Sequence, residues 1–164
     1  MSNPLLEPQG LPRFSQIRPE HIEPALDAIL QQNREELDLL IADAINPDFD
    51  SAIVPLEEMH DRLHRVWSPV SHLQNVSNSD ELREVYNRCL PKLSRYSTEV
   101  GQNEELFQLY KTVNEQLGEG ASNAQHKLLD HSLREFHLAG VDLPKDKKAR
   151  YKEAREELAK LQAK

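Results

Sequence analysis

From residue 19 onward the apolar side chains recur every three or four positions, and Gly, Pro, Asn and Asp interrupt the recurrence at intervals. That spacing gathers apolar groups on one face of an α-helix, and each interruption marks where one helix stops and the next begins. Residues 1–18 differ. Pro4, Pro8 and Pro12 lie among Leu5, Leu6, Leu11, Phe14 and Ile17, which predicts an extended Pro-rich arm anchored on a helical body by its apolar side chains.

The body divides into about six helices. Pro19 and Pro24 fit near a helix start, where a missing N–H does little harm, and Ile22, Leu26, Ile29, Leu37, Leu40 and Ile41 continue the pattern to an end near Ala44, before Asn46-Pro47. Asp50 is placed to cap a second helix, with Leu56, Met59, Leu63, Val66, Val70 and Leu73 in one stripe, Trp67 on its edge and a kink at Ser68-Pro69. Asn78-Ser-Asp-Glu81 has capping-box spacing and opens a third helix through Leu82, Val85, Tyr86, Cys89, Leu93 and Val100, with Pro91 inside it and Gly101 at its end.

Asn103 opens a fourth helix carrying Leu106, Tyr110, Val113 and Leu117, which Gly118 and Gly120 terminate. Ser122 with Gln125 forms a second capping box for a helix through Leu129, Leu133 and Phe136 that stops at Gly140. Pro144 then starts a sixth. Its stripe of Tyr151, Ala154, Leu158 and Leu161 is narrow, like a heptad seam, and no stop signal precedes Lys164, so the helix is expected to continue in a longer chain. The expected architecture is all-α: an extended arm over 1–18 and a helical lobe over 19–164, packed as antiparallel hairpins.

Composition narrows the function classes. A net charge of −8 and a pI near 5.4 argue against a general nucleic-acid or anionic-membrane binder. The charge is uneven: residues 20–61 hold 12 acidic side chains against Arg34 alone, whereas residues 145–164 hold 8 basic against 4 acidic. Pairs at i,i+4, Asp146 with Arg150 and Glu156 with Lys160, neutralise part of that basic run. Cys89 is the sole cysteine, which excludes an intramolecular disulfide and a Cys-rich zinc site, and with the absence of a signal-like N-terminus or membrane span it predicts a cytoplasmic protein.

The sharpest local pattern is His60-Asp-Arg-Leu-His64, because His at i and i+4 on a helix can face one metal ion. It differs from the zinc-peptidase motif His-Glu-x-x-His by carrying Asp where the general base belongs, and without a third ligand the pair reads as surface histidines. His126, His131 and His137 do not share a helical face. Cys89 falls on an apolar stripe, where burial raises the thiol pKa, and Tyr86, Tyr96, Tyr110 and Tyr151 read as packing residues with a hydroxyl at the edge. No Gly-rich phosphate loop and no Gly-x-Ser-x-Gly elbow is present.

Several stretches read together carry more. Asn3-Pro-Leu-Leu6, Leu11-Pro-Arg-Phe-Ser15, Ile17-Arg-Pro-Glu-His21 and Trp67-Ser-Pro-Val-Ser-His-Leu73 come first, followed by Glu81-Leu-Arg-Glu84 and Tyr96-Ser-Thr98, then Leu133-Arg-Glu-Phe136, Gly140 and Leu143-Pro-Lys145. In this order they resemble the N-terminal region of the thimet oligopeptidase family of zinc metallopeptidases. The resemblance implies a helical, clam-like peptidase of much greater length, whose N-terminal lobe helps wall a channel that admits short peptides. It also implies that the zinc and the motif Glu lie in a C-terminal part without counterpart here. No catalytic, cofactor-binding or metal-binding residue is therefore expected in this chain, and on its own the chain should be inactive. A stand-alone interaction domain working through the Tyr151, Ala154, Leu158 and Leu161 seam, or self-associating by it, is the other reading.

Overall fold

A computed structural model describes residues 3–7, 10–118 and 120–162, and among these every regular element is helical. Six α-helices follow in order: α1 (Pro19–Ala42), α2 (Val54–Val76), α3 (Asp80–Gly101), α4 (Glu104–Gln116), α5 (Asn123–Ala139) and α6 (Lys145–Gln162). Phe14–Gln16 adds one 3-10 turn before α1, and Phe49–Ile53 forms a π-helical turn that leads into α2. Pro8 and Gln9 of the expected arm lie outside the described residues.

The helix starts follow the side chains that can satisfy free backbone N–H groups. Asn103 accepts from the Leu106 N–H at 2.9 Å, and Ser122 and Gln125 cap each other reciprocally. Two starts depart from expectation. The cap before α2 is Asp48, not Asp50: Asp48 Oδ1 accepts from the Ser51 N–H at 2.8 Å while Ser51 Oγ accepts from the Asp48 N–H, a reciprocity that Asp50 has no partner to match. The cap of α3 is Ser79, one residue later than Asn78, with its Oγ accepting from the Leu82 N–H at 3.2 Å. At the start of α1 the Arg18 N–H donates to Nδ1 of His21 at 3.1 Å, and Asn3 Nδ2 donates to the His21 carbonyl at 2.7 Å, tying the N-terminal segment to the helix.

Two apolar cores share α1 as their common wall. The N-terminal half of α1, through Ile22, Ala25, Leu26, Ile29 and Leu30, packs with Val66 and Val70 of α2, Leu82, Val85 and Cys89 of α3, and Leu5 of the N-terminal segment. Leu37, further along α1, joins Ile53 and Met59 to Leu106, Phe107, Tyr110 and Val113 of α4 and Leu129 and Phe136 of α5. Each fully buried Leu or Ile here contributes about 1.5–3 kcal/mol. Asn33 sits between the cores, completely buried, and its Nδ2 donates to the Met59 carbonyl at 3.0 Å. α6 packs chiefly on α3, pinned by Arg95 to Glu156 at 3.3 Å and, from α4, by Glu104 to Lys148 at 2.5 Å.

Candidate functional site

The sequence-level candidates are dispersed. His60 and His64 lie on α2 with both side chains exposed, and the carboxylate between them is committed elsewhere, since Asp61 Oδ2 accepts from Arg65 Nε at 2.5 Å. Among the described residues no group of three or more His, Cys, Asp or Glu side chains is arranged to hold a metal ion. A zinc ion of the kind the family resemblance implies needs at least three protein ligands, so the His60–His64 pair does not fit it. His137 meets Asp142 through Nδ1 and sets its ring edge-on to Phe107 at 5.2 Å, while His126 and His131 are exposed on α5.

Cys89 is fully buried in the core between α1, α2 and α3. Burial pushes its thiol up to about 11, and the Glu23 carboxylate adds to the shift. Tyr110 is likewise pushed up to about 12, by burial first and by Glu57 second. Tyr86 stacks on Trp67 with ring centres 4.9 Å apart, Tyr96 lies under the Arg34 guanidinium at 5.4 Å, and the Tyr151 hydroxyl donates to the Leu138 carbonyl at 3.3 Å. The rings of Tyr86, Tyr96 and Tyr151 thus have packing roles.

Two grooves lie among the described residues, and the sequence pattern singled out neither. The larger, about 1000 Å³, runs beneath the N-terminal segment between Leu5, Leu11 and Phe14 on one side and Ile29, Arg62 and Pro69 on the other. His64 and His72 reach its rim, and His72 meets the Phe14 ring at 5.3 Å. Its cations are already paired: Arg13 with Glu7 at 3.0 Å, Arg65 with Asp61, and Arg62 with Glu36, whose carboxyl that hydrogen bond holds below the usual range. The smaller groove, about 400 Å³, sits at the connection between α1 and α2 and is lined by Leu39, Ile45, Pro47 and Met59 with Glu36 and Asp43. The signal for it was present in Leu39 and Ile45, apolar residues that fall off the core stripe.

Comparison with known proteins places this geometry. The pattern of the neurolysin/thimet oligopeptidase N-terminal domain matches residues 26–148. The chain is 48% identical to oligopeptidase A of Haemophilus influenzae over 164 residues, covering 98% of this chain and 24% of that protein. It is 44% identical to oligopeptidase A of Escherichia coli over 162 residues, again 98% of this chain and 24% of the relative. Dipeptidyl carboxypeptidase of Salmonella typhimurium is 30% identical over 165 residues, with the same shares. The chain thus spans about a quarter of the length of these relatives. With the whole helical body accounted for in this way, the chain belongs to the neurolysin/thimet oligopeptidase family and corresponds to its N-terminal domain.

Proposed function

We propose that this chain is the N-terminal, non-catalytic lobe of a longer cytoplasmic zinc metallo-oligopeptidase that hydrolyses short peptides, and that it helps wall the substrate channel. The observation that carries the reading is the 48% identity to an oligopeptidase A along nearly the whole chain, combined with a span of only 24% of that relative. The sequence contains no His-Glu-x-x-His, and among the described residues His60 and His64 have no third ligand, which supports a reading in which the rest of the longer chain holds the zinc. Among the described residues no helix is long and apolar enough to cross a membrane.

In this reading the lobe contributes shape and charge, and the two grooves are the concave surfaces it offers to peptide or to the catalytic lobe. The test is cleavage of an internally quenched short peptide by this chain beside its full-length parent, each with and without a zinc chelator. Activity confined to the parent and lost on chelation supports the assignment. Chelator-sensitive cleavage by the 164 residues alone would overturn it and return attention to His60 and His64.

A second reading rests on α6, where Leu158 and Leu161 are 44% and 57% exposed. A stand-alone interaction domain would bind a partner, or a second copy, through that Tyr151, Ala154, Leu158 and Leu161 face. Light scattering of the wild type beside Leu158→Asp separates the two: concentration-dependent association abolished by the substitution favours this reading, and a monomer at all concentrations argues against self-association.

A further inference from the structure

The connection between α1 and α2 combines a local charge excess with apolar side chains that the fold leaves uncovered. From Glu35 to Asp61 the sequence contains no Lys or Arg, while Asp38, Asp43, Asp48 and Asp50 all fall at this end of the molecule. Among the described residues no ion pair engages Asp38, Asp43 or Asp50. Glu36, paired with Arg62, is the one carboxylate of the groove that the protein itself neutralises.

The turn explains why apolar groups stand among these charges. Asn46 adopts φ +51°, the left-handed region that Asn tolerates better than most residues, and the chain reverses through Pro47. Ile45 is thereby left 85% exposed and Leu39, on the last turns of α1, 63% exposed. Both line the trough of about 400 Å³, whose floor is Leu40, Ala44, Pro55 and Met59 and whose rim carries Asp43 and Glu36. Apolar side chains and carboxylates therefore face solvent side by side at this connection.

We infer that this trough is a docking site for a short cationic peptide segment that inserts one bulky apolar side chain between Leu39 and Ile45 and sets flanking Lys or Arg residues against Asp43 and its neighbours. The occupant follows from the chemistry of the surface: an apolar trough of this size takes one or two side chains, and the uncompensated carboxylates select the sign of what flanks them. The inference deepens the reading of the chain as a peptidase lobe and rests on it for the word peptide. It assigns this lobe a preference for cationic, apolar peptides.

Binding is measured directly on the 164-residue chain by fluorescence anisotropy, with labelled Lys-Lys-Leu-Phe-Lys-Lys as probe and Glu-Glu-Leu-Phe-Glu-Glu and Lys-Lys-Ser-Ser-Lys-Lys as comparisons. The first peptide should bind at least tenfold more tightly than either of the others, and several-fold more weakly in 500 mM than in 50 mM salt. Asp43→Lys and Ile45→Ser should each weaken it about fivefold and together at least tenfold, consistent with one exposed ion pair and one apolar contact. Glu84→Lys, an equal charge change on the first turns of α3 at the other end of the molecule, should leave it unchanged, and thermal melts of all variants report folding. Equal binding of the acidic peptide, no binding at 1 mM, or an equal loss on Glu84→Lys would overturn the inference. A parent without peptidase activity would overturn the preceding reading and leave this binding result standing.

Discussion

Arg34 on α1 donates from Nε at 3.0 Å and from Nη2 at 2.7 Å to a single oxygen, Oε2 of Glu99 on α3. The two residues are 65 positions apart, as are Glu23 and Arg88 and also Asp27 and Lys92. A constant separation along two helices means that they run in the same direction and in register, with α2 returning between them. The ion pairs therefore act as a ladder that fixes how α3 slides against α1. The Arg34 rung also lies over Tyr96, its guanidinium 5.4 Å from the ring centre.

Removing that rung should be measurable and modest. An exposed ion pair contributes about 0.2–1 kcal/mol and a partly exposed cation–π contact about 0.5–1 kcal/mol, so Arg34→Ala should destabilise the chain by roughly 1 kcal/mol. In a urea double-mutant cycle with Glu99→Gln, the coupling should stay below about 1 kcal/mol, the rest of the loss belonging to Tyr96. Zero loss in the single variant would mean that the ladder sets register without adding stability.

Much of the helical plan was legible because punctuation and periodicity agree. Asn103, the Ser122–Gln125 box and Gly140 stand at the boundaries that the structure uses, and α3 ends at Gly101. The start of α2 was misplaced because Asp48 and Asp50 are both plausible caps, and only the reciprocal bond with Ser51 decides between them. The shared role of α1 in two cores, the buried Asn33 between them and the larger groove depend on how distant segments meet, which no local pattern encodes, whereas the smaller groove left its trace in Leu39 and Ile45. That His60 and His64 flank an Asp, where the zinc-peptidase motif has Glu, can be read in the chain itself.

Two carboxylates of α1, one in the ladder and one paired with α2, shape the acid response. Hydrogen bonds from Lys92 and then Arg88 hold Glu23 below the usual carboxylate value, and the hydrogen bond from Arg62 does the same for Glu36. A carboxyl with a depressed folded-state pKa stabilises the fold above its unfolded value, near 4.5, and that stabilisation is lost as pH falls through the folded value. Urea midpoints should therefore be flat near neutrality and fall progressively below about pH 4.5. Glu23→Gln and Glu36→Gln should each make the acid decline shallower. At the alkaline end partial burial opposes the Lys92 ammonium, but hydrogen bonds to Asp27 and Glu23 outweigh it and raise its pKa. Its contribution is present below 10.5 and fades as pH rises through the higher folded value.

Cys89 offers a probe of opening between α1, α2 and α3. With a thiol pKa of about 11 and no exposed surface, it is protonated and shielded at pH 8. An aromatic disulfide reagent should titrate no thiol in the folded chain and one in 6 M guanidinium. Native-state labelling should proceed only at the rate at which these helices separate. Leu26→Ala, which thins the same core, should accelerate it, whereas Leu129→Ala, in the other core, should do so less. Fast labelling of the intact native chain would contradict the burial of the thiol.

The sharpest steric test concerns Gly101, the last residue of α3. A Cβ placed there would lie 2.6 Å from Cβ of Ala139 at the end of α5, an approach that no rotamer change can relieve because both atoms are fixed to backbone. Gly101→Ala gains up to about 1 kcal/mol of helix propensity but forces the two helix ends apart, at about 1–3 kcal/mol. The net effect should be destabilising. Ala139→Gly removes the opposing Cβ, so the double variant should be more stable than the sum of the single losses predicts, by an amount that reports the clash itself. Gly140, with φ +87°, is constrained for a different reason: its left-handed backbone closes α5, and a Cβ there would meet Leu143 Cδ1 at 2.6 Å. Gly140→Ala should therefore be destabilising too, yet Ala139→Gly should not rescue it. Rescue confined to Gly101→Ala, read from urea midpoints of the five variants, would establish the contact between α3 and α5 as the point of closest approach, and a Gly101→Ala variant as stable as wild type would show that the helices are not held that tightly.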